Sequence, residues 1–325
     1  MSELDSSNKK GCLLSIVIPF IEKHFENTVG LLKSFPDKIS VEYEVLVINN
    51  SGSYKDLETF KNAGAPIDNL TVLNTNGANL LPFNSRRLGS EKAKGKWIWY
   101  IDADDKISKL PNSTIAVLTK DNSDVIRFSE RFIKNEKEFY LPYYKLSIIT
   151  DDIRNKILTV PSVNWCLHPL IINRNFYMTK IFPIIKDIDV NFFYGEDTLL
   201  LRIIVSKYST IKDVEGTLYS YDFDKGESHS VIRTKESVKF LISEFPKVSK
   251  IYSQIFTQDQ LEKFEMDNFS YKNVIMYYID DVVQHTKEED NPAEIKKDLT
   301  KELMRVILLN NMNDAVDERK RIHKS

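Results

Sequence analysis

The sequence predicts an α/β fold, in which a mixed, mainly parallel sheet is sandwiched by helices and followed by a C-terminal helical extension. Three observations predict it: strand-like apolar runs alternate with helical runs in the first hundred residues, polar turns follow these strands, and long charged helices begin beyond residue 233. Alternation of strand and helix is typical of a parallel sheet with helices on its faces. Ligands of such sheets bind beyond the carboxyl ends of the strands, so we expect the polar turns to share one crevice.

Hydrophobic periodicity defines the individual elements. Buried strands are predicted at 13–20, 43–48, 70–73 and 97–101, and helices at 23–35, 55–62 and 84–94. The middle of the chain is less regular, with strands predicted at 124–128 and 216–221 and a helix at 197–207. Apolar residues spaced by three and four then predict a helix at 238–255 despite Pro246, and two more helices are predicted at 258–285 and 293–310.

Composition excludes several classes of protein. The chain has 325 residues, 42% hydrophobic and 28% charged, with a net charge of -2, which argues against disorder and against a nucleic-acid partner. Cys12 and Cys166 lie too far apart to predict a zinc site or a disulfide framework, and a reducing compartment fits this usage. No apolar run reaches the ~18–20 residues of a membrane span. We therefore expect a cytoplasmic protein whose membrane contact, where it exists, is peripheral at the inner face.

The most informative motif is Asp102-Ala103-Asp104-Asp105, directly after the strand at 97–101. Carboxylates this close repel one another unless a cation or protons intervene. A hard divalent ion with oxygen ligands commonly holds substrate phosphates as well. The alternative is an acidic turn, because Asp is a common turn residue.

An ordered series of motifs leads into this cluster. Arg86-Arg87-Leu88-Gly89, Ala93-Lys94-Gly95-Lys96-Trp97-Ile98 and Ile101-Asp102-Ala103-Asp104-Asp105 together resemble the family 2 glycosyltransferases of the GT-A fold. Further along, Gly195-Glu196-Asp197 is similar to the Glu-Asp motif that opens a helix in that family. The alternative for this pair is acidic enrichment at a helix N-terminus, which suits the helix dipole.

The resemblance covers about 13–230 and implies a division of the chain. Residues 1–12 form a polar tail, 13–110 the nucleotide-sugar-binding half, 111–232 the acceptor-binding half, and 233–325 the helical extension. It implies an inverting enzyme, a hexosyl- or N-acetylhexosaminyl-transferase, that moves a sugar from a nucleotide-diphosphate donor, most often a UDP-sugar. The implied acceptor is a hydroxyl of a glycan or a lipid-linked saccharide of a bacterial-type cell envelope.

The resemblance also implies residue roles. Asp197 would be the general base, and Asp102-Ala103-Asp104 would hold Mn²⁺ or Mg²⁺, with Asp104 on the metal and Asp102 on the ribose or the metal. Base and metal must lie apart, because a metal-bound carboxylate is a poorer proton acceptor. Asp105 either supports this site or caps the following turn.

Donor contacts are expected from Pro19, Phe20 and Glu22 after the first strand, and from Asn49 after the second. The family commonly has acidic residues in that second turn, whereas this chain has Asn49-Asn50-Ser51-Gly52. An asparagine oxygen can still accept a hydrogen bond from a uracil N–H.

Four further residues complete the expected site. Arg86 is expected on the diphosphate or near the base, because its guanidinium suits phosphate oxygens. Trp165 and Glu196 are expected on the acceptor side, although Trp165 could equally be a core residue. His229, in a segment where the family closes a loop over the donor, is either a further metal ligand or a solvated histidine.

The helical extension lies outside the resemblance and is interpreted from its residues alone. The apolar stripe at 238–255 predicts either a homodimer or a brace on the same chain. The basic ending 319–324 either touches an anionic membrane or is a solvated tail. The rival functions are a non-catalytic glycan- or nucleotide-binding module and a sugar-phosphate nucleotidyltransferase. The latter predicts a glycine-rich basic loop after the first strand, which Pro19-Phe20-Ile21-Glu22 does not provide.

Overall fold

The computed structural model describes residues 11–50, 55–66, 68–75, 80–134, 137–140, 167–190, 195–222, 234–261, 271–287 and 290–322. The strands are β1 (Leu14–Phe20), β2 (Tyr43–Asn49), β3 (Leu70–Asn74), β4 (Trp97–Tyr100), β5 (Lys106–Ile107), β6 (Val125–Lys134), β7 (Lys137–Tyr140), β8 (Leu170–Asn173) and β9 (Ile211–Asp222). The helices are α1 (Phe25–Lys38), α2 (Leu57–Asn62), α3 (Pro82–Lys92), α4 (Asn112–Lys120), α5 (Glu196–Lys207), α6 (Lys235–Ile255), α7 (Tyr271–His285) and α8 (Pro292–Ile322). A 3-10 turn, Glu22–His24, precedes α1, and a helical stretch with a π segment at Tyr177–Ile181 runs from Arg174–Phe176 to Phe182–Ile185.

The strands form one nine-stranded sheet in the order β3-β2-β1-β4-β8-β6-β9-β5, with β7 paired to β6. The four predicted strands of the first half are all present and pair in parallel. In β2, Leu46 and Ile48 join one buried apolar cluster while Val45 and Val47 join the other. Both faces of the sheet are therefore covered, which explains why this strand is continuously apolar.

The second half of the sheet mixes directions. Strand β8 pairs antiparallel with β4 and with β6, β9 runs parallel to β6, and β5 pairs antiparallel with β9. The sequence did not predict β8, and the strands predicted at 124–128 and 216–221 are longer than expected, as β6 and β9. The second half therefore confirms that the sheet is mixed. Because β8 runs antiparallel to β4, the segment before β8 lies at the carboxyl end of β4.

Two glycines of the motif series permit close packing. A Cβ added at Gly89 would lie 2.4 Å from Cγ1 of Val17 on β1. A Cβ at Gly95 would lie 2.6 Å from the backbone nitrogen of Ser15. Helix α3 can therefore lie directly on the sheet, which fixes the height of its arginines above the strand ends.

The helical extension packs on the domain that contains the sheet. The stripe predicted along α6 is buried at Val238, Leu241, Val248 and Tyr252, in the same cluster as residues of α5. Of the two alternatives for this stripe, the structure shows packing against the same chain. The helix predicted at 258–285 is described in part, as α7, and the one predicted at 293–310 continues further, as α8. Among the described residues, no helix is both long and apolar enough to cross a membrane.

Candidate active site

The guanidinium of Arg86 joins the two acidic motifs. Arg86 lies on α3, with its side chain only 3% exposed. Its Nη1 donates to both carboxylate oxygens of Glu196, at 2.6 and 2.9 Å, and its Nη2 donates to Oδ1 of Asp102, at 2.8 Å. Because Asp102 follows β4 and Glu196 opens α5, the buried guanidinium of Arg86 holds the two acidic motifs of the expected site together.

The second oxygen of Asp102 has its own partner. Oδ2 lies 2.9 Å from Nε2 of His168. The carbonyl of His168 accepts a hydrogen bond from Nε1 of Trp99, at 2.9 Å, and its ring stacks on Tyr219 with centroids 4.4 Å apart and planes 2° apart. Asp102 is therefore held in one orientation by two basic side chains.

Asp105 lies under this layer and is buried. Its Oδ2 accepts a hydrogen bond from the hydroxyl of Tyr219, which in turn accepts one from the backbone N–H of Asp102, at 3.2 Å. Burial raises the pKa of Asp105 well above its ordinary value, and the charges of Asp102 and Asp104 add to this increase although His168 opposes it. Asp105 thus combines a buried contact to Tyr219 with a turn in which its N–H donates to the carbonyl of Asp102.

The carboxyls differ in how readily they ionise. Burial opposes the charge of Asp102, but Arg86 and His168 outweigh burial and hold the pKa of Asp102 well below its ordinary value. At Glu196, burial and the neighbouring Asp197 outweigh Arg86 and raise the pKa from 4.5 to about 7. Burial also raises the pKa of Asp197, against the influence of Arg86. Asp102 is thus a permanent anion, whereas Glu196 and Asp197 bind protons more tightly than ordinary carboxyls.

Asp197 differs from Glu196 in its surroundings. Its side chain is half-buried and stands at the first turn of α5, after Gly195 in a left-handed conformation with φ of 78°. Its Oδ1 accepts a hydrogen bond from the backbone N–H of Thr198, at 2.7 Å. Glu196, by contrast, is buried and turns inward to Arg86. Asp197 is thus the more accessible member of the pair.

A divalent cation fits the donor set of this site. Asp102, Asp105 and His168 each offer one ligand atom, and these atoms lie within 4.8 Å of one another. Asp104 is half-buried in the same turn. Carboxylate oxygens are the ligands preferred by Mg²⁺ and suit Mn²⁺, which also accepts imidazole. Burial is the main cause of the raised pKa of Asp105, with the charges of Asp102 and Asp104 adding to it, and a bound cation would favour the ionised carboxylates.

The expected donor residues lie at neighbouring strand ends. Pro19 and Phe20 pair in register with Ile48 and Asn49. Phe20 turns into the core, where it packs edge-on against Phe60. Asn49 is 1% exposed, and its Nδ2 donates to Oδ1 of Asn74, at 2.5 Å.

Other expected donor residues differ in exposure. Glu22 is exposed and pairs with Lys55, at 3.1 Å, and Ala103 is buried. The buried Oδ1 of Asn50 accepts no hydrogen bond in the described structure. This oxygen is an available acceptor beside the predicted Asn49.

Sequence reasoning did not assign a role to His168 or Tyr219. The signal was present, because continuing the antiparallel register Trp99↔Ile171 by three residues brings Asp102 opposite His168. The sequence alone does not predict this alignment, because it does not show that β8 pairs with β4. The expected residues Trp165 and His229 lie outside the described residues.

Comparison with known proteins identifies one family. Residues 15–175 match the sequence model of the family described as glycosyl transferase family 2. This segment contains β1 to β4, the acidic turn and β8, but not α5. No curated protein matches the chain significantly.

Several solved structures of TarS from S. aureus are similar to this chain. The TarS structure shares 15% identity, covers 91% of this chain and 53% of its own, and has a TM-score of 0.47. TarS 1-349 in complex with UDP-GlcNAc shares 16% identity over 85% of this chain and 82% of its own, with a TM-score of 0.49. TarS 1-349 with UDP shares 15% identity over 90% and 89%, with a TM-score of 0.46. The chain spans about half the length of the first of these, and at these scores the neighbours do not define its donor.

Proposed function

This chain belongs to glycosyl transferase family 2, and from that premise we propose that it transfers a sugar, with inversion, from a UDP-sugar to a hydroxyl of a glycan or lipid-linked saccharide. The observation that carries the proposal is the meeting of Asp102 and Glu196 on Arg86. It places the acidic turn after β4 beside the first turn of α5, where Asp197 lies.

Asp197 is the general base of this proposal. Arg86 engages both Asp102 and Glu196, and Glu196 is buried, whereas Asp197 is half-buried and has no ion pair at hydrogen-bond distance among the described residues. Burial raises the pKa of Asp197, which makes its carboxylate a better proton acceptor. As the acceptor oxygen bonds to the anomeric carbon and the bond to phosphate breaks, the hydroxyl proton passes to Asp197.

The acidic turn holds the cation of the proposal, Mn²⁺ or Mg²⁺. Asp104 would be one ligand, beside the ligand atoms that Asp102, Asp105 and His168 offer within 4.8 Å of one another, and Arg86 and His168 fix the orientation of Asp102. When bound, the cation stabilises the charge that develops on the leaving nucleoside diphosphate. Arg86 supports this turn from within the protein, since its Nη1 and Nη2 donate to the carboxylates of Glu196 and Asp102 and its Nε is buried rather than open to a phosphate.

The nucleotide base fits at the ends of β1 and β2. The Asn49 amide group already donates to Asn74, while the buried Oδ1 of Asn50 lacks a donor. A uracil N3–H would supply that donor, so Asn50 is the base contact of the proposal. The acceptor reaches Asp197 from the other side, and a cytoplasmic enzyme at the inner membrane face would meet lipid-linked acceptors there.

Two variants separate the roles of the acidic motifs. Asp197→Asn should bind UDP with Mn²⁺ nearly as the unchanged protein does, but lose ~10²–10⁴-fold in transfer rate. Asp104→Ala should lose the metal-dependent part of UDP binding, measured by calorimetry with and without Mn²⁺. Equal loss of UDP binding in both variants would contradict the division of roles. Transfer that survives in Asp197→Asn would favour another base.

A further inference from the structure

Helix α8 exposes a row of large apolar side chains. Met304, Leu308 and Met312 are 54%, 61% and 57% exposed, and they follow one another at intervals of four residues. This spacing places them along one side of the helix, over about 12 Å. The opposite side packs on the protein, where Leu299 and Leu303 are fully buried. The inner face of α8 is therefore already packed against the protein, and the apolar row forms a second surface, which is exposed.

Basic side chains accompany this row. Lys297, Lys301 and Arg305 are exposed and also spaced by four, with Lys301 three residues before Met304. None of the three has an ion pair with a described residue. Two other charged residues of α8 form ion pairs within the chain, since Lys296 contacts Asp280 at 2.6 Å and Asp298 contacts Lys235 at 3.7 Å. One face of α8 thus combines exposed apolar side chains with three exposed basic side chains that form no ion pair with a described residue.

The apolar and basic side chains of this face indicate which kind of partner it binds. Soluble monomers rarely expose contiguous large apolar side chains without a partner. A second copy of the chain would have to place the same face on itself, because two-fold interfaces are self-complementary, and its apolar row would offer no acidic partner to the three basic residues. An anionic bilayer accommodates both features, since apolar side chains enter the acyl boundary while lysine and arginine reach the headgroup phosphates.

We propose that this face of α8, formed by Lys297, Lys301, Met304, Arg305, Leu308 and Met312, docks on an anionic lipid bilayer. The proposal does not depend on sugar transfer, because it concerns a surface on the extension. In this proposal the helix lies along the membrane surface rather than across it.

Sedimentation of the full chain with vesicles tests the proposal. Binding is expected to vesicles of phosphatidylglycerol and phosphatidylcholine at low salt, and to weaken with added salt and with phosphatidylcholine alone. Lys297→Gln, Lys301→Gln and Arg305→Gln should each lower the partition about fivefold, and together about a hundredfold. Leu308→Gln should also lower it. Lys296→Gln, on the same helix but paired with Asp280, is the matched control and should leave it unchanged.

Three outcomes would overturn the proposal. One is the absence of binding to anionic vesicles at low salt, with the fold verified by circular dichroism. Another is an equal loss in Lys296→Gln and Lys301→Gln, which would indicate a diffuse charge effect. The third is a dimer in analytical ultracentrifugation that Leu308→Gln dissociates, which would assign the face to a second copy.

Discussion

Replacing Arg86 by glutamine should destabilise the protein far more than the same change at the next residue. Arg86 is 3% exposed and bonds three carboxylate oxygens on Glu196 and Asp102. Arg87 lies beside it on α3, but its Nη1 donates only to backbone carbonyls, those of Ile185, Lys186 and Ile188. The two substitutions remove the same side chain, and only one of them leaves the buried carboxylate of Glu196 without its cation.

The magnitude follows from burial. Removing one partner of a buried ion pair costs about 3–5 kcal/mol, because the other charge stays desolvated. Loss of hydrogen bonds from Arg87 to neutral carbonyls should cost about 1–2 kcal/mol. A second substitution, Glu196→Gln, removes one of the stranded charges, so the double variant Arg86→Gln/Glu196→Gln should be more stable than the sum of the single effects predicts. We expect a coupling free energy of about 2 kcal/mol between the two positions.

Urea unfolding of the unchanged protein, both single variants and the double variant measures this coupling. Arg87→Gln, measured in parallel, controls for the loss of an arginine from α3. Effects of Arg86→Gln and Glu196→Gln that add to within about 0.5 kcal/mol would refute the reasoning, since independent sites behave in that way. So would equal destabilisation by Arg86→Gln and Arg87→Gln.

Further predictions concern pH and packing. In the folded state the pKa of Glu196 is raised from 4.5 to about 7, so the folded protein binds one proton more than the unfolded chain between these pH values. The free energy of unfolding, measured in urea, should therefore fall as pH rises through this range, and Glu196→Gln should make it less dependent on pH. Because burial raises the pKa of Asp197, the transfer rate should fall on acidification at a pH above the ordinary range of an aspartate, and a pH-independent rate down to about pH 4 would exclude it as the base. Gly89→Ala should cost about 1–3 kcal/mol in the same unfolding assay, since its Cβ would lie 2.4 Å from Val17, and Val17→Ala should recover part of that cost.

The parallel half of the sheet could be predicted because its signals are local. Each of β1 to β4 is a short apolar run bounded by a turn, and the motif glycines Gly89 and Gly95 lie where α3 and the edge of β4 approach β1. The family match over residues 15–175 confirms the resemblance carried by these motifs.

The partners of Arg86 could not be predicted in the same way. A guanidinium suits a phosphate as well as a carboxylate, and only the packing of α3 on α5 decides between them. His168 was missed for a related reason, since β8 lies about 70 residues after the acidic turn and its pairing with β4 depends on the fold as a whole. The phenol of Tyr219, more than 100 residues from Asp102, is equally nonlocal.

Thermal stabilisation by nucleoside diphosphates, with and without Mn²⁺, measures whether the chain has a metal-dependent site for the nucleotide donor. UDP should stabilise the protein only when Mn²⁺ is present, by about 2.7 kcal/mol at a concentration one hundredfold above its dissociation constant. ADP and GDP should have little effect, and Asp104→Ala should abolish the response to UDP. If no nucleoside diphosphate stabilises the chain in either condition, the donor site proposed here is wrong, and a binding module without turnover becomes the better account.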